Sequence, residues 1–294
     1  MTRFSLRRFF LAVGLSAVST ISAAQDASTT SVWEVSKDSD TVYVGGTIHI
    51  LPISEFPLPS AFTDTYEKSD TIVLEAELPD PTDIAAQQRM IEAMAYTGES
   101  NLKDKLSEET FNALNQYLGM FGANADQLAR FKPGLVATML ITMEAQRVNM
   151  AGEGVDAYFT QLAKRDNKPR EYLETIDFQL NMLANMGVGE EERFISETLT
   201  TLPEFKEIMQ GTIDAWREGD SETIETLVID TFKRESPSSF DDVFTKRNQN
   251  WVPQIEAMFG DDDSEFVLVG AGHLVGEGNV LELLKAKGYT VKQL

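Results

Sequence analysis

Only two histidines occur among 294 residues, with no cysteine, and both imidazoles stand in the same local setting. His49 ends Gly46-Thr47-Ile48-His49, directly after the run TVYVG; His273 ends Gly270-Ala271-Gly272-His273, directly after EFVLVG. With glycine at 19 of 294 positions, chance would put one three residues ahead of both histidines in roughly 0.4% of arrangements. Imidazole is the commonest metal ligand and titrates near neutrality. Glycine lets the backbone turn sharply and lets a ligand approach closely, so Gly46 and Gly270 are expected beside a bound group. Glu75 and Glu77 close the run TIVLEAEL, where residues two apart on a strand share a face. Two imidazoles and one carboxylate with open positions make a catalytic type of site for zinc, manganese, cobalt or iron.

Such a site needs strand ends brought together. Ser31–Lys37 and Thr41–Gly45 are β-branched or aromatic runs around Asp38-Ser39-Asp40, the pattern of a hairpin. Thr71–Leu78 reads as a third strand, stopped by Pro79-Asp80-Pro81. From Thr82 to about Met258 the periodicity turns helical: Phe111, Leu114 and Leu118 fall on one face, and Met139 and Met143 on another as core filling. Arg170–Glu174 reads as one short strand within this region. Glu265–Gly270 is nearly continuous in apolar residues, as a strand buried on both faces is. Asn279 caps a helix that Gly288 ends, and Tyr289–Leu294 is a last strand. The expected fold is α/β: a single domain over 25–294, its central mixed β-sheet built from N- and C-terminal strands, with a large helical insertion between them. Ligands in such sheets gather beyond the carboxyl ends of the strands.

Composition narrows the chemistry. Twenty-five basic side chains against 47 acidic ones give a net charge of −22, which repels nucleic acid. Absent cysteine excludes disulfides, thiolate catalysis, iron–sulfur clusters and Cys-based zinc sites. Residues 1–24 have a basic start (Arg3, Arg7, Arg8), an apolar run Phe9–Ile21 and small residues before Gln25, the layout of a signal peptide. Arg7-Arg8 followed by Phe9-Phe10 also resembles a twin-arginine signal. Its removal leaves a net charge near about −25, no stretch long enough to span a membrane, and a periplasmic or secreted location. Asp261-Asp262-Asp263 lacks the spacing of a calcium loop and is expected to be solvated. No GxSxG element supports a serine hydrolase.

The stretches GGTIHILP, TIVLEAELPDP and GAGHLVGEGNVLELLKAKGYTV, with GESNLKDKL, GVDAYFTQLAKRDNKP, LETIDFQL and KRNQNWVPQI between them in order, resemble the TraB/PrgY/GumN family, whose Tiki members are metal-dependent peptidases. The resemblance implies that His49 and His273 are metal ligands, that Glu75 is the glutamate ahead of the Asp-Pro pair, and that Arg247 and Asn248 are the Arg-Asn pair of a late helix. Glu174 and Gln179 sit in a recurring segment without an assigned role. The expected reaction is hydrolysis of a peptide or protein amide bond. A divalent ion (manganese, cobalt or zinc) held by His49, His273 and Glu75 would bring its bound water's pKa towards about 7. If Glu75 is a ligand, Glu77 or Glu174 is the base; if Glu75 is the base, a further ligand is missing. Arg247 either stabilises developing negative charge or orients a carboxylate. The competing expectations are an exported protein that binds peptides without cleaving them, and haem or metal carriage, for which two histidines are a thin supply.

Overall fold

The computed structural model describes residues 29–77, 82, 84–260 and 263–294. The expected signal peptide over 1–24, Leu78–Pro81 and the first two acids of the Asp261–Asp263 run lie outside them. Six strands form one mixed sheet in the order β4-β3-β5-β2-β1-β6, where β1 is Val32–Lys37, β2 Asp40–Thr47, β3 Thr71–Leu74, β4 Arg170–Tyr172, β5 Glu265–Gly270 and β6 Thr290–Gln293. The terminal strands and the helical insertion are those expected of the α/β reading. β1 pairs antiparallel with both β2 and β6, whereas β2, β5, β3 and β4 run parallel to one another. The carboxyl ends of β2, β5 and β3 therefore share one edge.

Alternation along the strands fills both faces. Phe266 and Leu268 of β5 and Ile72 and Leu74 of β3 join Phe62, Phe159 and Trp216 on one side. Val267 and Val269, with Val73, Val42 and Val44, join Trp251, Ile255, Leu281 and Leu284 on the other. Burial of aromatics on both faces is what makes the β2–β5–β3 core rigid enough to hold a site at its end. A third cluster, with Leu114, Leu118, Leu140 and Phe194, packs helices against helices within the insertion, and Met139 and Met143 fill its margin. Asn279 caps the helix Val280–Ala286 by accepting the Glu282 N–H at 2.9 Å, and Gly288 beyond it has φ +90°.

One element of the insertion reaches the carboxyl edge of the sheet through a close backbone approach. The helix Val155–Asp166 begins beside His49: the Val155 N–H donates to the Ile48 carbonyl at 3.0 Å. A Cβ on Gly154 would lie 2.4–2.6 Å from the His49 backbone, closer than any side chain tolerates. Gly119, at the end of the helix Glu108–Gly119, has open space around it. Urea denaturation should show Gly154→Ala destabilised by about 1–3 kcal/mol, and Gly119→Ala neutral or stabilised by up to about 1 kcal/mol. Equal effects of the two would contradict the close approach.

Candidate functional site

β2, β3 and β5 each carry one residue of a polar cluster past their ends. His49 follows β2, Glu75 follows β3, and His273 sits in the tight turn Ala271–Leu274 after β5. The neighbouring strands thus bring together His49, His273 and Glu75 as their spacing implied. The helix Lys246–Glu256 lies against the opposite face through Trp251 and Ile255, and its first turn carries Arg247 and Asn248 over the strand ends.

Arg247 is the centre of this cluster. Its side chain is 4% exposed, Glu75 9% and Glu174 6%. Nη2 donates to Glu75 Oε2 at 2.6 Å and to Glu174 Oε2 at 3.0 Å, and Nε donates to both Glu174 oxygens at 3.0 and 3.1 Å. Nη1 donates to His273 Nε2 at 3.0 Å and to the Val243 carbonyl at 3.3 Å. The guanidinium also lies over the Trp251 ring, 4.5 Å from its centroid. All five guanidinium N–H bonds are thereby spent. None is left to meet negative charge on a substrate, so of the two expected roles for Arg247 the geometry fits the one that orients carboxylates.

His273 is fixed from both sides. Asn248 donates its amide to the Gly278 carbonyl at 3.0 Å, so its Oδ1 faces His273 Nδ1 at 2.7 Å and accepts that proton. Nε2 is then the acceptor for Arg247. Burial drives the His273 pKa down to about 3, and the nearby arginine adds to that, so the ring is neutral. Glu75 takes the Gly270 N–H on Oε1 at 2.7 Å and the Gln179 amide on Oε2 at 3.0 Å. Its burial opposes ionisation, but Arg247, His49 and the Gly270 N–H outweigh burial and pull its pKa down to about 2.

His49 is held differently. Its Nδ1 lies 2.8 Å from Asp156 Oδ2, and Asp156 Oδ1 accepts the Thr47 hydroxyl at 2.7 Å. The Asp156 carboxylate raises the His49 pKa to about 9. Water screens this attraction, because 64% of the His49 side chain is exposed. Among the described residues no other hydrogen bond holds the ring, and Nε2 faces the space beside Gly270. An atom in the Cβ position of Gly270 would stand 3.4 Å from Glu75 Oε1, 3.5 Å from His49 Nε2 and 3.6 Å from His273 Cδ2. Gly270 keeps that meeting point open.

The other expected site residues are placed elsewhere. β3 ends at Leu74, so the shared-face argument for Glu75 and Glu77 does not hold; Glu75 turns into the cluster while Glu77 is exposed and outside the cavity wall. Gly46 lies inside β2, where its carbonyl accepts Trp216 Nε1–H at 2.6 Å; it packs the sheet rather than a ligand. Asp156 is the functional residue sequence reasoning missed. No local pattern marks it, because its contact with His49 spans 107 positions of sequence.

The hydrogen bonds of this donor set bear on the metal that the family resemblance implies. His273 Nε2, the nitrogen a metal would take, already accepts from a cation, and Glu75 Oε2 is saturated by Arg247 and Gln179. Only His49 Nε2 and one lone pair of Glu75 Oε1 remain open. Among the described residues no group of three His, Asp or Glu side chains is arranged to hold an ion. Arg247 stands where the ion's charge would be, so the expected His49–His273–Glu75 ligand set does not fit as folded. Deleting that guanidinium leaves two carboxylates and a histidine facing one another, at a cost of about 3–5 kcal/mol. Calorimetric titration with manganese should show Arg247→Ala binding the ion at least about tenfold tighter than the unaltered chain, with its unfolding midpoint partly restored by the ion. Tighter stoichiometric uptake by the unaltered chain would contradict the role given to Arg247.

The cluster closes one end of a cavity of about 740 Å³, whose other walls are largely apolar and include Met182, Leu183, Met209, Leu227 and Phe232. Comparison with known proteins adds the following. The TraB/PrgY/gumN family model matches residues 31–293. YbaP of Escherichia coli (strain K12) is 25% identical over 244 residues, covering 82% of this chain and 86% of YbaP. Metalloprotease TIKI1 of Danio rerio is 22% identical over 312 residues, and that of Homo sapiens 21% identical over 315 residues. The chain spans 62% and 61% of the length of those two proteins. The family match runs unbroken from the residue before β1 to the end of β6: the chain belongs to the TraB/PrgY/gumN family.

Proposed function

We propose that the chain is an exported hydrolase of amide bonds in peptide or protein substrates, acting beside Gly270 at the ends of β2, β3 and β5. The observation that carries this reading is the meeting of His49 Nε2 and Glu75 Oε1 over Gly270, at the charged end of an apolar cavity. Asp156 anchors Nδ1 of His49 and leaves Nε2 to exchange protons with whatever lies there, the arrangement by which a carboxylate orients a general acid–base imidazole. Neutral, His49 accepts a proton from water; protonated, it gives one to the departing amine. Glu75, kept ionised by Arg247 and the Gly270 N–H, accepts a hydrogen bond from the attacking water on its open lone pair and so aims it. Arg247, Asn248 and His273 hold Glu75 and the turn Ala271–Leu274 in register. The relatives named metalloproteases support the reaction class, while the residues here provide for the proton transfer themselves. Export rests on the N-terminal signal pattern of residues 1–24, and no helix among the described residues is long and apolar enough to cross a membrane.

A binding protein without catalysis is the second reading, favoured by a Glu75 held so far below the ordinary carboxylate range that it is a weak base. Cleavage of a peptide library by residues 25–294, read by mass spectrometry, separates the two. His49→Ala should lower turnover by about 10²–10⁴-fold, the range for loss of a general acid–base group. Gly270 has φ −50° and ψ 133°, open to any residue, so Gly270→Ala should also abolish turnover while leaving the unfolding midpoint within a few degrees. Peptides retained by the protein but never cut would establish the second reading instead.

A further inference from the structure

The cavity wall says what kind of chain lies in it. Its inner surface is built from helices whose backbone groups are consumed in their own ladders: Ile176–Asn185, Phe205–Glu218, and the π-helical segments Glu225–Asp230 and Asp241–Thr245. Its hydroxyls have spent their protons as well. Thr160 donates to the Asp156 carbonyl at 2.7 Å, Thr212 to Ile208 at 2.8 Å, and Thr47 to Asp156 Oδ1. The Gln179 amide donates to Glu75 and Glu174, and Arg247 is saturated. A second cavity of about 170 Å³ shares Met186, Ile208 and Phe232 with the first; there Thr138 and Thr198 donate to Gly134 and Phe194, while Glu235 and the unpaired hydroxyl of Ser236 give its far end a polar patch. His49 is thus the one unspent side-chain donor among the described residues lining the main cavity. A peptide main chain laid along this wall would bury carbonyls with no side-chain partner. An aliphatic chain would lose nothing.

The charged end limits what the chain is attached to. Glu75, Glu174 and Asp156 stand against Arg247 and His49, so a carboxylate or phosphate head would meet repulsion. A neutral amide meets one side-chain donor, His49. We propose that the substrate is an N-acylated peptide or amine whose aliphatic chain fills this cavity, and whose acyl amide is the bond presented to His49 and Glu75. This rests on the hydrolase reading above and names its substrate class. Water adds its oxygen to the acyl carbonyl carbon, the carbon–nitrogen bond breaks, and the nitrogen leaves as a protonated amine beside a fatty carboxylate. Twelve carbons, at about 30 Å³ each by comparison with water, occupy about half of the main cavity and leave room for the amide.

N-acyl derivatives of 7-amino-4-methylcoumarin, from butanoyl to dodecanoyl, provide the test, together with calorimetric binding of N-methyl butanamide and N-methyl dodecanamide. Each buried methylene is worth up to about fourfold, so kcat/KM should rise at least about a hundredfold across the series. Ile208→Trp, which fills the junction of the two cavities, should cut the dodecanoyl-to-butanoyl ratio at least tenfold with little change in unfolding midpoint. Cleavage of unacylated peptides with no gain from chain length would overturn this inference and leave the hydrolase reading standing. Dodecanamide binding far tighter than butanamide, with no substrate turned over, would uphold the occupant and overturn the hydrolase reading. Equal binding of the two amides would overturn the occupant.

Discussion

A guanidinium buried among two carboxylates and an imidazole is the interaction on which the rest of this site depends. Taking Arg247, Glu75 and Glu174 out of water costs several kcal/mol per ion, and the cost is recovered only because every donor and nearly every acceptor finds a partner. Arg suits this place where Lys would not: its planar fork meets Glu174 edge-on while its third nitrogen reaches His273. The consequence is a site whose charges are fixed before any ligand arrives. Glu75 is an anion because Arg247 is a cation, and His273 is neutral because it is buried beside that cation.

Around that fixed core the fold leaves one ring open, His49, held through Nδ1 alone. Three parallel strands deliver His49, Glu75 and the His273 turn to one edge, since parallel strands present their carboxyl ends together. β1 and β6 extend the sheet on the far side, away from the cluster. The helix Val155–Asp166 then reaches in over Gly154 to set Asp156 against His49. Half of the site is therefore sealed and saturated. The other half, His49 with its exposed ring, opens on the cavity. The proposed hydrolysis would use that division: a rigid electrostatic scaffold need not reorganise when charge develops beside one exposed proton carrier.

Much of this was legible in the chain. Two Gly-x-x-His elements after two apolar strands marked the edge, because strand ends and glycine turns are local properties. Glu75 followed from the third strand, and the EFVLVG run announced a strand buried on both faces. The end of β3 misled, since TIVLEAEL keeps an alternating pattern past Leu74, where pairing with β5 stops; Glu77, three residues beyond, was assigned by that pattern and lies in solvent. The two glycines of the matched motifs also diverge, Gly46 packing the sheet and Gly270 guarding the meeting point. Asp156 and the saturation of Arg247 could not be read locally. Both depend on contacts across more than 70 positions of sequence, which no periodicity records. The acidity of the chain, by contrast, contributes little to the site beyond the carboxylates named.

Because the chain holds just two imidazoles, nitrogen-15 NMR of the histidine rings reads the central claim directly, with His49→Ala giving the assignment. Arg247 donating to Nε2 and Asn248 accepting from Nδ1 require a neutral His273 with its proton on Nδ1. That pattern should persist unchanged when one equivalent of zinc is added. A His273 ring protonated on Nε2, or an Nε2 resonance that shifts stoichiometrically with zinc, would contradict the placement of Arg247 as the site's own cation.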